Sequence, residues 1–245
     1  LIHLADGQSE LLFDFHHIAI DGWSSSLLLN RIQSLYDSDF FHTRLERQLG
    51  HSVEHSIEDV GESPVRLTKA PQLSSYYRWL EAQPFELARE YWGELVGDYR
   101  HALQVPSAAP RLLGKSESTA PPIFVETRID ASTVDALTNW CAATGATLSA
   151  ALQTIWGMVL AHETGTRDVV FGATVAGRDA PVEGIDRLVG MFINTLPVRV
   201  SFGDEHSFAD IVGEVAQQFS HSIDYGFIPL AEIQALSPAG AGLLS

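Results

Sequence analysis

The stretch "FHHIAIDGWSSSLLL", residues 15–29, decides how this chain is read. Two adjacent histidines, His16 and His17, close an apolar run, Asp21-Gly22 begins four residues after the second, and Trp23 and three serines open a further apolar stretch. Upstream, "LIHL" (1–4) and "ELLFDFHHIAI" (10–20) flank a turn at Asp6-Gly7, which predicts a β-hairpin whose second strand carries both histidines. Side chains alternate faces along a strand, so His16 and His17 cannot both enter one cavity. Asp21 falls where that strand turns, and Gly22 suits a backbone conformation that a side chain would penalise. Such a turn can hold His17 in one orientation while a nearby cation fixes the carboxylate. Downstream, residues 24–41 place Leu28, Ile32, Leu35, Tyr36 and Phe40 near helical spacing, with serines available as caps. This predicts a helix of about four turns.

The 245 residues are 45% hydrophobic, enough for a real core in one large domain or two modest ones. Lys and Arg total 15 against 31 Asp and Glu, a net charge of −16 that repels phosphate backbones and anionic lipid surfaces. Nucleic acid and membrane are therefore not expected partners. No apolar run reaches the roughly 18 residues of a spanning helix, and the start lacks the basic and apolar regions of a signal peptide. The expected setting is cytoplasmic. Cys141 is the single cysteine and reads as a buried structural thiol. The chain opens inside a strand-like run and ends after "SPAGAGLLS", so it is expected to be a central piece of something longer.

Periodicity fades between Arg44 and Leu73, which predicts a surface excursion. His51 and His55 lie one helical turn apart there beside Glu54 and Glu58, a spacing that could hold a metal; a solvated face is the simpler reading. No metal site is assigned. Residues 71–99 return to helix, broken at Pro84, with Tyr91, Trp92 and Leu95 on an apolar face. Residues 100–122 hold four prolines without periodicity. Beyond them "IFVETRID" (123–130) alternates like a strand, 131–145 and 147–165 read as helices ending at glycine, and 168–178 and 189–202 are strand-like. A serine-capped helix follows over 207–226. The order indicates a mixed α/β protein in two parts, 1–105 and 123–245, joined by a linker at 106–122.

"HHIAIDGWS" resembles the HHxxxDG active-site motif of the condensation domains of nonribosomal peptide synthetases, within the chloramphenicol acetyltransferase-like superfamily. "RLVGMFINTLPVRV" (187–200) is similar to the same family's downstream motif, and "GATVAGRDAP", "SYYRWL" and "IPLAEIQ" also look like the family. An epimerization domain would carry a Glu-Gly-His-Gly-like run where this chain has "VAGRDAP", and the DFGWG motif of plant-type acyltransferases is absent. "GATVAGR" and "MFINTLPVRV" look more like the subtype that takes an L-configured donor. The alternatives are a non-catalytic docking or recruitment module of the same fold and an O-acyltransferase of the wax ester synthase type.

The resemblance implies an α/β, two-lobed chloramphenicol acetyltransferase-like fold with an active-site tunnel, partial in this chain, with the first lobe ending near residue 105. It implies an acyltransferase in which the amine of an acceptor aminoacyl thioester attacks a donor thioester. Both substrates would hang from phosphopantetheine arms of carrier domains, with an adenylation domain adjoining, and this chain would bind no cofactor itself. His17 is then the tunnel-facing histidine, His16 its structural neighbour, and Asp21 a structural anion whose arginine is expected in a section preceding residue 1. Gly22 would offer its N–H near the developing oxyanion. Trp23, Ser24, Asn194 and Thr195 would line the substrate tunnel, and Arg178, Arg187 and Arg199 could meet phosphopantetheine or acidic carrier helices. An α-amine of pKa about 7.7 to 8 is already roughly a third neutral at pH 7.5, so prior deprotonation gains only about threefold. An acid-base group worth about 10² to 10⁴ must therefore act later, on the proton that becomes acidic as the tetrahedral intermediate forms.

Overall fold

The computed structural model describes residues 2–4, 7–36, 72–103 and 126–244. The His51/His55 pair and the linker expected at 106–122 lie outside the described residues. The chain packs as two compact units, Leu1–Gln83 with Ala176–Ile193, and Pro84–Val175 with Asn194–Ser245. These units do not follow the expected division at 106–122. The helix after Pro84 buries Trp92 and Val96 with Val170, Leu196 and Ile233 of the second unit, whereas the segment after Val175 returns to the first.

In the first unit, β1 (Ile2–His3) pairs antiparallel with β2 (Ser9–Glu10), Ile2 opposite Glu10. The expected long second strand is not formed. Beyond Glu10 no described strand runs alongside to take up the ladder hydrogen bonds, and residues 11–16 carry no regular structure. His16 and His17 therefore sit on a turn, closed by a 2.9 Å bond from the Ala19 N–H to the His16 carbonyl, and strand alternation does not govern them. Helix α1 (Gly22–Tyr36) follows, four turns long as its spacing predicts. Helix α2 (Leu73–Glu81) sets Leu73 and Tyr76 against a small core of Ile185, Leu188 and Phe192, with Tyr76 and Phe192 edge to face at 4.8 Å. The 176–193 segment holds one 3₁₀ turn, Ile185–Arg187. Its entry requires glycine: Gly177 has φ +65°, and a Cβ there would stand 1.8 Å from the Phe192 carbonyl oxygen.

The second unit is built on β3 (Asp168–Val175) and β4 (Asn194–Ser201), antiparallel from Asp168 opposite Ser201 to Val175 opposite Asn194. Both strands are shorter than the sequence suggests, because 176–193 leaves the sheet for the other unit. Residues 126–130 are described and are not a strand. Val169 and Val170 point to opposite faces of β3 and enter different cores, while Leu196, Val198 and Val200 share one face of β4 and divide between the two along its length. Val170 and Leu196 pack with Trp92 and Val96 of α3 (Phe85–Val96), and with Ile233 of α7 (Leu230–Leu236). Val169, Val198 and Val200 pack with Leu160 and Ala161 of α5 (Leu148–Thr164), and with Ile211 and Val215 of α6 (Phe208–Asp224). Helix α5 meets β4 at Gly157, where a Cβ would lie 2.5 Å from Val200. Cys141 is buried on α4 (Ala131–Thr144), against the same side of α5 as Ala150 and Ala151.

The helix ends follow their sequence signals. Asp130 and Thr147 accept N–H groups three residues on, Gly145 and Gly165 close α4 and α5 in the left-handed conformation, and Ser207 with Asp210 forms a capping box. Along the outward backbone of β4 the donors are used or missing. The Thr195 N–H goes to Asn194 Oδ1, Pro197 has none, and Gln218 bonds both the N–H and the carbonyl of Arg199 at 2.9 and 2.8 Å. Arg199 itself is held by Asp168 at 2.7 Å, by the Leu95 carbonyl, and over the Tyr99 ring.

Candidate functional site

A buried ion pair organises the region around the paired histidines. Asp21 is 1% exposed and lies one residue before α1. Its Oδ1 accepts the Ser24 N–H at 2.7 Å, its Oδ2 the Phe192 N–H at 3.1 Å, and Arg178 Nη2 reaches both oxygens at 3.2 and 3.3 Å. The cap of α1 is thus Asp21 and not a serine. Burial pushes the Asp21 carboxyl up. The Ser24 and Phe192 N–H groups and the Arg178 charge outweigh that and hold it below the usual carboxylate range. Arg178 Nη1 donates to the Ile185 and Leu188 carbonyls at 2.6 and 2.8 Å, and the guanidinium lies 4.2 Å over the Phe192 ring.

The expectation that Asp21 finds its cation before residue 1 is corrected. Arg178, on a turn of the 176–193 segment, fills that role, and it is too buried to meet a carrier arm. The signal was in the sequence, since a buried carboxylate demands a cation and Arg178 follows a glycine directly after strand β3. Arg199 is likewise spent inside the second unit, on Asp168 and Asp98. Arg187 is exposed.

His16 is exposed, and its Nδ1 accepts the Ile18 N–H at 3.1 Å, which leaves the neutral ring with its proton on Nε2. His17 is exposed at the corner of the same turn, and no hydrogen bond among the described residues uses its ring. Gly22 opens α1 without a positive φ, and a Cβ there would meet nothing within 4 Å, so the expected backbone need for glycine is absent. Its N–H has no acceptor among the described residues. Trp23 is half exposed, with Nε1 donating to the Asp186 carbonyl at 2.9 Å and the ring 5.6 Å from the Arg178 guanidinium.

Ser24 is fully buried and cannot line a tunnel. Asn194 and Thr195 belong to the second unit. Asn194 gives both amide hydrogens to the Gly226 and Ile228 carbonyls at 2.9 Å, so no donor remains for a substrate. The Thr195 methyl lies where a Cβ on Gly172 would stand, 2.7 Å away. The structure therefore gathers Asp21, Trp23 and Ser24 around Arg178, with Gly22 beside them in the chain, and gives Asn194 an anchoring place in the sheet.

A family model described as "Condensation domain" matches residues 58–241. The chain belongs to the condensation-domain family. It is 32% identical over 237 residues to bacitracin synthase 3 of Bacillus licheniformis, covering 97% of this chain and 3% of the relative. It is 29% identical over 225 residues to gramicidin S synthase 2 of Brevibacillus brevis, covering 92% of this chain and 4% of that one. The first condensation domain of the calcium-dependent antibiotic synthetase, solved with substrate analogue 2a, superposes with a TM-score of 0.61 at 23% identity, over 92% of this chain and 46% of that chain. The X-domain from teicoplanin biosynthesis gives 0.61 at 20% identity, over 90% and 46%. The chain thus spans a small part of the synthases it matches and less than half of these solved chains. The α/β fold is that of condensation domains, as the chloramphenicol acetyltransferase-like reading expects. Among the described residues no helix is long and apolar enough to cross a membrane, and no cluster of His, Cys, Asp and Glu could hold a metal ion.

Proposed function

We propose that this chain, as part of a condensation domain, forms amide bonds between acyl groups tethered to carrier domains. The acceptor amine forms the new C–N bond and the donor C–S bond breaks. The proton given up by the attacking nitrogen is matched by one taken up at the departing pantetheine thiolate. The observation that carries the reading is the buried Asp21–Arg178 pair. It anchors the "HHIAIDG" turn at the start of α1, with His17 and the Gly22 N–H left open beside it.

In this reading His17 takes the proton that becomes acidic as the tetrahedral intermediate forms, and His16 shapes the turn. The Gly22 N–H stabilises the developing oxyanion, helped by the positive end of the helix dipole. The half-exposed face of Trp23 lines the substrate path. Ser24, Asn194 and Thr195 hold the scaffold. The partners are donor and acceptor carrier domains bearing phosphopantetheine, beside an adenylation domain, in a cytoplasmic synthetase. The donor is of L configuration, on the strength of "GATVAGR" and "MFINTLPVRV". Support for the class of product comes from the names of the relatives, which are synthases of bacitracin and gramicidin S.

The test uses the chain in its natural polypeptide. Donor and acceptor carriers are loaded, and intact-protein mass spectrometry looks for dipeptide on the acceptor arm. Product is expected with the wild type and should fall by about 10² or more with His17→Ala. Equal product from both would remove His17 from the chemistry.

A further inference from the structure

We propose that Ser24 is a positioning residue whose hydroxyl locks the first turn of α1 to the 176–193 segment and so fixes where the Gly22 and Trp23 N–H groups point. This rests on the amide-forming reading above and adds to it a residue that never meets substrate.

The hydroxyl is saturated. It donates to the Gly190 carbonyl at 2.8 Å and accepts the Gly190 N–H and Arg178 Nη2, each at 3.0 Å. One donor and two acceptor positions are all that a serine has. Bonding both backbone groups of one residue, Ser24 serves Gly190 as a neighbouring strand would, and the Asp21 N–H adds a third link to the Gly190 carbonyl at 3.3 Å. Gly190 itself has no room for a side chain. A Cβ on Gly190 would come within 3.0 Å of the Phe192 ring and 3.3 Å of Leu73. Arg178 already spends Nη1 on Ile185 and Leu188, so Ser24 and Asp21 together decide where Nη2 sits. Water cannot replace the hydroxyl in a place with no exposure unless the packing opens.

The consequence lies at the helix start. The Ser24 N–H is held by Asp21 from one side and its side chain by Gly190 and Arg178 from the other, so the third residue of α1 is fixed at both ends. Gly22 and Trp23, the first two residues, inherit that orientation through the chain. A donor aimed at a charge that develops in the transition state works only if aimed beforehand. Loosening Ser24 should therefore slow the chemical step without weakening carrier binding.

Ser24→Ala leaves three buried partners short, and Ser24→Thr keeps the hydroxyl. In the loaded-carrier assay, run well below the melting temperature and scaled to folded protein, Ser24→Ala is expected to lower kcat by about ten- to a hundredfold with the carrier KM unchanged. Amide exchange at Ser25, whose N–H bonds the Asp21 carbonyl at 3.0 Å, should quicken, and Ser24→Thr should recover most of the rate. Unchanged kcat per folded molecule, or unchanged exchange at Ser25, would overturn the proposal. So would a Ser24→Ala chain that fails to fold while Ser24→Thr is normal, which would make the hydroxyl a folding requirement. Absence of dipeptide from the wild type overturns the amide-forming reading, and exchange at Ser25 in Ser24→Ala then decides by itself whether the lock exists.

Discussion

Asp21 and Arg178, 157 residues apart in sequence, meet at 3.2 Å inside one compact unit, both almost wholly withdrawn from water. That contact ties the start of α1 to the 176–193 segment. It also turns a loop that follows β3 into part of the site. Among the described residues every remaining hydrogen-bond partner of the pair is a backbone group or Ser24, so removal of either charge leaves the other with no described substitute.

Asp21→Asn should therefore cost about 3 to 5 kcal/mol, since the guanidinium stays buried while its counter-charge is gone. Activity should fall together with the melting temperature, measured by calorimetry. Arg178→Lys is not a mild change, because an ammonium has three donors and cannot span the carbonyls of Ile185 and Leu188 while reaching Asp21 and Ser24. Lost activity at an unchanged melting temperature in Asp21→Asn would instead give the carboxylate a direct chemical role.

The same carboxylate predicts a pH dependence. Its folded pKa lies below the ordinary value near 3.8, so the unfolded chain binds the proton more readily. The stabilisation it supplies is complete above the ordinary carboxylate range and is lost as pH falls through the lower folded value. Denaturant melts at descending pH should show the wild type losing stability on Asp21 protonation, and Asp21→Asn should show a shallower loss. Parallel curves for the two proteins would place the acid sensitivity elsewhere.

Two glycines near the site should behave oppositely. Gly22→Ala meets open space and needs no left-handed φ, so its melting temperature should stay within the noise of a surface change, about 0.5 kcal/mol. Any loss of amide formation then reports on the path of substrate beside α1. Gly177→Ala combines φ +65° with a Cβ 1.8 Å from the Phe192 carbonyl oxygen. It should destabilise by more than about 1 kcal/mol and release the Arg178 turn.

The legible parts were those governed by local rules. Helices α4, α5 and α6 start at Asp130, Thr147 and Ser207, and the first two end at glycine, because capping acts within a turn of chain. The family is legible in two short motifs. What escaped was decided by distant neighbours. Residues 10–20 read as a strand, yet a strand needs a partner, and described pairing stops at Glu10. Asn194 reads as a substrate contact until the carbonyls of Gly226 and Ile228 are seen to claim its amide. Ser24 reads as a tunnel-lining residue beside Trp23, until its hydroxyl is seen bonded to the buried Gly190 carbonyl. Sequence order puts helix α3 with the first part of the chain, since the prolines lie after it, whereas the apolar surface of Trp92 finds its core with β3 and β4.

The closed edge of β4 gives the last prediction. Gln218 presents an oxygen to the Arg199 N–H and an N–H to the Arg199 carbonyl, the same pair of groups that a neighbouring peptide would offer. Removing it in Gln218→Ala leaves both backbone groups short of a partner, at a cost of about 1 to 3 kcal/mol, and opens an edge onto which another strand could add. Gln218→Glu is the more informative change. The charged carboxylate still accepts from the Arg199 N–H but opposes the carbonyl, whereas the protonated acid regains a donor of similar reach. The deficit of Gln218→Glu relative to wild type, read from urea melts, should therefore shrink as pH falls through the glutamate range, while that of Gln218→Ala stays constant. A pH-independent deficit in Gln218→Glu would mean that the carbonyl contact contributes nothing, and that the edge is closed by Pro197 and Asn194 alone.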